Sequence, residues 1–209
     1  MASSRILQVL KDISSLPSAG PPAAFSYLHV CRAVLLVGDE GPIGRLELSR
    51  KLGLGEGTTR TIIKHLTRAG VGERLKGGCV LTRRGKTIYK QLRNRLSNVM
   101  QFDAKVLALG KANAAIMIRA SGMHVKRGIE QRDAALLAGA KGALTILFER
   151  SGYVMPDERK EKLDQRDPLV LKLNSYFQPR DKDVLIIVGA EEERLAHYGA
   201  LAAALTLFD

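Results

Sequence analysis

The sequence predicts a two-domain protein of helices and strands, of the α+β or α/β class, and three observations support this. Its 209 residues suit two small domains. Residues 1–100 hold 17 Lys/Arg and 6 Asp/Glu, a net charge of +11, whereas residues 101–209 hold 16 and 15, a net charge of +1. The apolar pattern changes after Gln101, from helical spacing to alternating strands and helices. We therefore expect domains over 1–100 and 101–209.

The composition argues against several other classes of protein. A hydrophobic fraction of 45% is too high for a wholly disordered chain, and no apolar run approaches the length of a membrane span. Cys31 and Cys79 are too few for a disulfide framework. The N-terminus lacks the long apolar region of a signal peptide. We expect a cytoplasmic protein that does not bind membranes.

Apolar residues at helical spacing predict three helices before residue 53. The first covers 5–16, the second covers 23–37 and ends at Gly38, and the third covers 44–52. The prolines and glycine of PSAGPP (17–22) form a turn or linker between the first two helices. The glycines of GLGEG (53–57) allow a steep turn after the third.

The fourth helix, from about Thr58 to Ala69, is predicted to bury one face and expose a polar, basic face. The buried stripe consists of Thr59, Ile62, Ile63 and Leu66. The exposed side, which contains no acid, consists of Thr58, Arg60, Thr61, Lys64, His65 and Arg68. Reading bases in the major groove of DNA requires hydrogen-bonding side chains on such an exposed helix face.

A basic hairpin is predicted over 73–82, with Lys76-Gly77-Gly78 at its tip, because glycines supply the positive φ of tight turns. Thr82 then caps a helix over 83–99, whose apolar stripe suits packing against the N-terminal domain, a link between the domains, or a dimer contact. Basic side chains around DNA neutralise phosphates and release counterions. Lys76 and Arg83 therefore complete the predicted DNA-binding set.

The segment LSRKLGLGEGTTRTIIKHLTRAGVGER, followed by a basic hairpin and by LTRRG at the start of a helix, resembles the winged-helix transcriptional regulators over roughly residues 24–100. The resemblance implies an N-terminal winged helix-turn-helix domain that binds double-stranded DNA through its recognition helix and wing. A protein-interaction role for such a domain is the alternative interpretation.

The C-terminal half is predicted to be an α/β domain with a mixed sheet. Strands are expected over 112–119, 143–149, 152–155 and 183–188, and helices over 129–137, 168–177 and 191–207. A ferredoxin-like arrangement with an extra C-terminal helix is one topology compatible with this order.

Two strand ends in this half indicate a ligand site. Strands 112–119 and 183–188 each lead through a Gly-containing turn to a helix, and ligands of open α/β sheets lie outside the carboxyl ends of the strands. Glu191 has an alternative role, because an acid in the first turn of a helix stabilises that helix by interacting with its macrodipole. We expect a small-molecule effector to contact Ser121, His124, Lys126, Arg127, Gln131 and Glu191.

No motif predicts catalysis, a cofactor or a metal. A phosphate loop of the form GxxxxGK[ST] would need glycine where Val80 stands, and GxSxG is absent. The four histidines, His29, His65, His124 and His197, lack metal-ligand spacing. We expect a protein that is not an enzyme.

Two further motifs, GIEQRDAALLAGAKGALTILF (128–148) and ERLAHYGALAAALTL (193–207), resemble an uncharacterised archaeal family that fuses a winged helix to a C-terminal domain of unknown function. The resemblance implies a regulator. We predict a homodimeric DNA-binding transcriptional regulator whose C-terminal domain supplies dimerisation and an effector site. The alternatives are an enzyme or nucleotide- or metabolite-binding protein with an accessory winged helix, and a winged-helix interaction factor of the transcription machinery.

Overall fold

The computed structural model describes residues 2–17, 24–102, 109–150, 152–156 and 161–208, so residues 18–22 of the turn predicted over 17–22 lie outside the described residues. Within these ranges the protein is mixed α+β, with eight α-helices and two sheets. The chain divides into two compact units, Met1–Asn94 and Arg95–Asp209, here called the N-terminal and C-terminal units. No helix among the described residues is both long and apolar enough to cross a membrane.

The N-terminal unit follows the predicted order of helices and hairpin. A capping box between Ser26 and His29 begins the second helix, and left-handed Gly53 ends the third. The elements are α1 (Ala2–Ser14), α2 (Tyr27–Glu40), α3 (Arg45–Leu52), α4 (Glu56–Arg68), β1 (Gly72–Leu75), β2 (Gly78–Leu81) and α5 (Arg83–Arg93).

Helix α2 continues past Gly38, where the sequence predicted its end. A Cβ at Gly38 would lie 2.2 to 2.6 Å from the ring of Tyr89 on α5. The glycine therefore admits a neighbouring aromatic ring within the helix. The Tyr89 hydroxyl donates to Asp39 at 2.7 Å, and Arg93 also pairs with Asp39, which ties α5 to the end of α2.

The single helix predicted over 83–99 is wrong, because α5 ends at Arg93. Leu96 instead bridges Ile118 of the C-terminal unit, and Met100 begins a short strand there. Ile88 and Leu92 are buried in the N-terminal unit. Of the three roles considered for this stripe, packing against the N-terminal domain is the one that Ile88 and Leu92 fulfil.

The C-terminal unit contains one five-stranded sheet in the order β3-β4-β7-β5-β6, with every neighbouring pair antiparallel. Its strands are β3 (Met100–Gln101), β4 (Ala112–Ile118), β5 (Gly142–Glu149), β6 (Gly152–Val154) and β7 (Asp183–Ala190). Its helices are α6 (Ile129–Leu137), α7 (Pro168–Tyr176) and α8 (Glu193–Leu205).

The antiparallel pairing of all neighbours makes the predicted mixed sheet wrong, and the strand order makes the ferredoxin-like topology wrong. Apart from the two-residue β3, the strands follow one another along the chain as β4, β5, β6 and β7. In a ferredoxin-like sheet the third of these, β6, would lie between β4 and β5, but here β7 lies between them. All eight residues of β7 are buried, so this strand needs neighbours on both edges and cover on both faces. The three-residue β6 pairs with residues 147–149 of β5 and, through a single bridge from Val154, with Lys162.

Helices cover both faces of this sheet. Helices α6 and α8 pack together on one face, where Ala196, Ala200 and Ala203 of α8 are fully buried and allow close approach. On the other face α7 contributes Leu169, Val170 and Leu173 to a cluster with Phe102, Tyr153 and Phe177. Burial of both faces fixes β7 as the centre of the unit.

Two helical glycines should respond in opposite directions to replacement by alanine. Alanine in a helix normally stabilises by about 0.5–1 kcal/mol over glycine. Nothing lies within 4 Å of a Cβ at Gly57, so Gly57→Ala should stabilise. A Cβ at Gly85 would lie 2.0 Å from the Val71 carbonyl oxygen, so Gly85→Ala should destabilise by about 1–3 kcal/mol. Urea unfolding measures both, and a stabilised Gly85→Ala protein would contradict this close approach.

Candidate nucleic-acid interface

Helix α4 presents a basic face to solvent. Arg60 and Lys64, one turn apart on the same side of the helix, are exposed, whereas Thr58 and Thr61 are half-buried. No side chain caps the N-terminus of α4 at Gly55. The first backbone N–H groups of α4 therefore have no side-chain acceptor, and such groups favour anions.

A groove of about 210 Å³ separates α4 from the hairpin. Three arginines from three elements surround it, and a bridge between Ile43 and Cys79, with N–O distances of 3.0 and 2.8 Å, fixes the hairpin beside α3. A Cβ at Gly78 would lie 2.4 Å from the Ile43 carbonyl oxygen, so only glycine permits this contact. The groove is lined by Arg45, Arg60, Ile63, Arg74, Leu75, Gly78 and Cys79.

Several basic side chains on α4, on the hairpin and at the start of α5 have no acidic partner among the described residues, and two of them, Arg60 and Arg74, line the groove. Each is exposed and forms no ion pair with a described residue. Arg74 was not among the predicted DNA-binding residues. Its position in the basic hairpin was the signal that could have identified it. These residues are Arg60, Lys64, Arg74, Lys76 and Arg83.

His65 does not belong to the exposed face, and this part of the prediction is wrong. The residue is 0% exposed, and its Nδ1 lies 2.9 Å from the carbonyl oxygen of Ile13 in α1. A carbonyl oxygen only accepts, so Nδ1 bears the proton and donates. The ring also packs edge-on against Phe25. The sequence pattern predicted a single buried stripe on α4, but α1 covers a second side of this helix.

Arg68 is exposed as predicted, whereas the start of α4 differs from the prediction. The Arg68 guanidinium donates to the Pro17 carbonyl oxygen at 2.7 Å. The helix begins at Glu56 because Gly55 is its N-cap, so Gly57 lies in the helix and not in the turn. The first turn therefore contains an acid, and Glu56 pairs with Arg45 at 2.9 Å.

The basic residues of α3 are partly balanced by nearby acids. Arg50 pairs with Glu47 at 2.9 Å, and Lys51 pairs with Glu40 at 2.9 Å. The hydrogen bond to Glu40 raises the pKa of Lys51 above its ordinary value. Within this part of the N-terminal unit, exposed cations without an ion pair are therefore found on α4, the hairpin and the start of α5, and not on α3.

The predicted effector residues do not form one site. β4 and β7 are antiparallel, with Ile118 opposite Val184 and Ala112 opposite Ala190. Ser121 follows the end of β4 and Glu191 follows the end of β7, so roughly 20 Å of sheet separates them. The rule about carboxyl ends of strands applies to parallel neighbours, and it fails here.

Three of the predicted effector residues already have partners within the protein. Buried Ser121 accepts from Arg95 and donates to the Arg119 carbonyl oxygen, both at 2.8 Å. Buried Gln131 donates to the Thr206 hydroxyl at 2.7 Å. Hydrogen bonds from Lys111 and then Lys141 lower the pKa of the exposed Glu191 to about 2.

The remaining predicted residues, His124, Lys126 and Arg127, are exposed in the segment before α6. Of these, Arg127 lines a pocket of about 190 Å³ at the N-terminus of α6. The opposite wall comes from β5 and from the chain after β6, which the sequence alone could not bring together. The pocket is lined by Arg127, Gly128, Ile129, Arg132, Ala143, Leu144, Thr145, Met155 and Pro156.

The two cysteines are poor candidates for nucleophiles. Burial raises the pKa of the Cys31 thiol to about 12, and burial also raises the pKa of Cys79. Among the described residues, no group of three or more His, Cys, Asp or Glu side chains could hold a metal ion.

Comparison with known proteins gives a family match for one unit and a structural likeness for most of the chain. Residues 109–207 match a family described as "Domain of unknown function (DUF4443)". The chain is similar to the solved structure of hypothetical protein PH0730 from Pyrococcus horikoshii OT3, with 26% identity, a TM-score of 0.67, and coverage of 86% of this chain and 91% of that chain. This likeness extends beyond either unit alone and indicates a shared fold.

A second solved structure is the MarR family protein Rv2887 of Mycobacterium tuberculosis. It is 16% identical, with a TM-score of 0.31, and the alignment covers 44% of this chain and 66% of that chain. A likeness at this level supports no conclusion about the present chain. No curated protein matches the sequence.

Replacing His65 should cost far more stability than replacing its neighbour. His65→Ala removes a buried ring and leaves the Ile13 carbonyl without that donor, so a loss of about 2–4 kcal/mol is expected. Lys64→Ala changes an exposed side chain and should stay within about 0.5 kcal/mol of the parent. Urea unfolding followed by circular dichroism measures both. Equally small losses of stability in the two variants would indicate that the His65 side chain is exposed, and would contradict its burial.

The pH dependence of stability should report on Glu191. Its pKa in the folded protein, about 2, lies below the ordinary value of 4.5. The carboxylate therefore stabilises the fold above pH 4.5, and this contribution is lost as the pH falls toward 2. Glu191→Gln should show a smaller fall in melting temperature between pH 4.5 and 2 than the parent. Parallel curves for the two proteins would contradict the pairing with Lys111 and Lys141.

Proposed function

We propose that the protein is a DNA-binding transcriptional regulator and not an enzyme, and that its N-terminal unit is a winged helix-turn-helix domain. The observation that most supports this is the group of unpaired, exposed cations on α4 and the adjoining hairpin, namely Arg60, Lys64, Arg74 and Lys76. Charges without partners in the protein are available to phosphates and base edges.

The order of elements agrees with this proposal. Three helices, α2 to α4, precede the hairpin, and a helix of the size of α4 fits the major groove of B-DNA. Arg60 and Lys64 would reach bases or phosphates in the major groove of the DNA, with Thr58 and Thr61 beside them on α4. Lys76 at the hairpin tip and Arg83 would contact the flanking backbone.

We further propose that the protein acts in the cytoplasm as a homodimer controlled by a small-molecule effector. Helix-turn-helix dimers bind two half-sites one helical turn apart, which requires a two-fold pairing of chains. Helix α6 exposes Leu136 and Leu137 near its C-terminus, the second at 90% of its surface, and a second chain would cover this apolar area. The C-terminal unit would then supply the dimer contact.

Binding to sheared duplex DNA should weaken steeply as salt rises. If Arg60, Lys64, Arg74 and Lys76 each neutralise one phosphate, the logarithm of the binding constant should fall with that of salt concentration at a slope of roughly −3.6 per chain. Lys64→Glu and Arg60→Glu should each weaken binding roughly 10- to 100-fold. Fluorescence anisotropy with labelled duplex measures both effects.

The matched control is Arg166→Glu, which makes the same charge change at an exposed position in the C-terminal unit. It should leave DNA affinity within about twofold of the parent, because Arg166 belongs to none of the elements of the proposed interface. Equal binding by the parent and Lys64→Glu would remove α4 from the interface. Equal losses in all three variants would indicate attraction by net charge alone.

A further inference from the structure

The pocket at the N-terminus of α6 has features of a ligand site that the predicted effector residues do not explain. The helix has nine residues and begins at Gly128 without any side-chain cap. Its first-turn N–H groups therefore lack side-chain acceptors at the mouth of the pocket. Such an N-terminus attracts anions, but only a second feature of the pocket can indicate a bound group.

That second feature is the hydroxyl group of Thr145 on β5. Thr145 lines the pocket and is only 4% exposed, and its Oγ1 has no hydrogen-bond partner among the described residues. An unpaired buried hydroxyl costs free energy, because it has lost its water without gaining another partner. A ligand that accepts a hydrogen bond from Thr145 would remove this cost.

Gly128 keeps the space between the helix and this hydroxyl open. The residue has φ of +76°, and a Cβ there would lie 3.0 Å from Thr145 Cβ and 3.3 Å from Thr145 Oγ1. The opposite wall includes Pro156, whose Cγ would lie 3.3 Å from the same Cβ. Any larger residue would fill the space beside the helix N-terminus.

Charge and apolar surface around the pocket define the class of ligand. Arg127 and Arg132 line the pocket and bring positive charge to it, and Leu144 and Met155 supply apolar wall. Arg132 pairs with Asp133 at 3.1 Å, but both side chains are about half exposed, and exposed pairs of this kind are weak. A stronger anion could therefore compete for Arg132.

The acid Glu130 also lies in the first turn of α6, but it is exposed and does not line the pocket. We propose that this pocket binds the carboxylate or phosphate head of a small organic acid. The head would accept hydrogen bonds from the α6 N-terminus and Thr145, and its aliphatic body would lie against Leu144 and Met155. Binding here does not require that the N-terminal unit bind DNA.

Hexanoate and hexyl phosphate test this proposal on the full chain, with hexanol as the uncharged control of equal length. Titration calorimetry should detect binding of at least one acid and tenfold or weaker binding of hexanol. Preference for one acid identifies the head group. Failure of both acids to bind, or equal binding of hexanol, overturns the proposal.

Thr145→Val separates a ligand contact from a structural role. The substitution conserves volume and removes an unpaired hydroxyl, so the variant should melt at the same or a higher temperature than the parent. Its affinity for the bound acid should nevertheless fall roughly tenfold, as expected for loss of a hydrogen bond to a charged group. Unchanged affinity in Thr145→Val would overturn the assignment of this hydroxyl to the ligand.

Arg132→Gln should likewise weaken binding of the acid, whereas Arg180→Gln, at an exposed position outside the pocket lining, should not. Equal affinities for these two variants would place the acid elsewhere on the molecule.

Discussion

The hydrogen bond from His65 Nδ1 to the Ile13 carbonyl oxygen holds α4 against α1, while Ile62 and Leu66 bury another side of α4 within the N-terminal unit. Burial on two sides leaves a narrow strip of α4 exposed. Arg60 and Lys64 lie on that strip, and the hairpin lies beside it. The direction in which the exposed strip of α4 faces is therefore set by α1 together with the other helices of the N-terminal unit.

Most of the net positive charge of the sequence lies in its first hundred residues, and both units also contain ion pairs. In the C-terminal unit, Glu191 lies between Lys111 and Lys141, and Asp183 lies 3.9 Å from Arg119. In the N-terminal unit the pairs are mainly on α3, and the cations of α4 and the hairpin have no acidic partner among the described residues. Unpaired cations concentrated on one surface favour a polyanionic partner.

Local patterns predicted α4 well and the sheet poorly, for a physical reason. Burial of one helix face imposes a 3.6-residue period, so Thr59, Ile62, Ile63 and Leu66 were correctly identified as buried. The contact of His65 with Ile13 joins residues 52 positions apart and leaves no local pattern. Periodicity alone therefore placed the buried His65 among the predicted DNA-binding residues.

Strand direction is likewise absent from local sequence. The apolar run in β7 showed that the strand is buried, but an apolar strand can pair in either direction. The assumption of parallel neighbours joined Ser121 and Glu191 into one site, and the antiparallel register separates them. The pocket beside Thr145 depends on the close approach of Gly128 to β5, which only the tertiary structure reveals.

Selection of bound duplexes from a random-sequence pool tests the central claim, that α4 reads DNA bases, most directly. The account predicts an enriched motif with two-fold symmetry and half-sites about 10 bp apart. It also predicts that Arg60→Ala or Lys64→Ala changes the preferred base at specific positions of the motif. A pool without any enriched sequence, or the same motif selected by the parent and both variants, would contradict it.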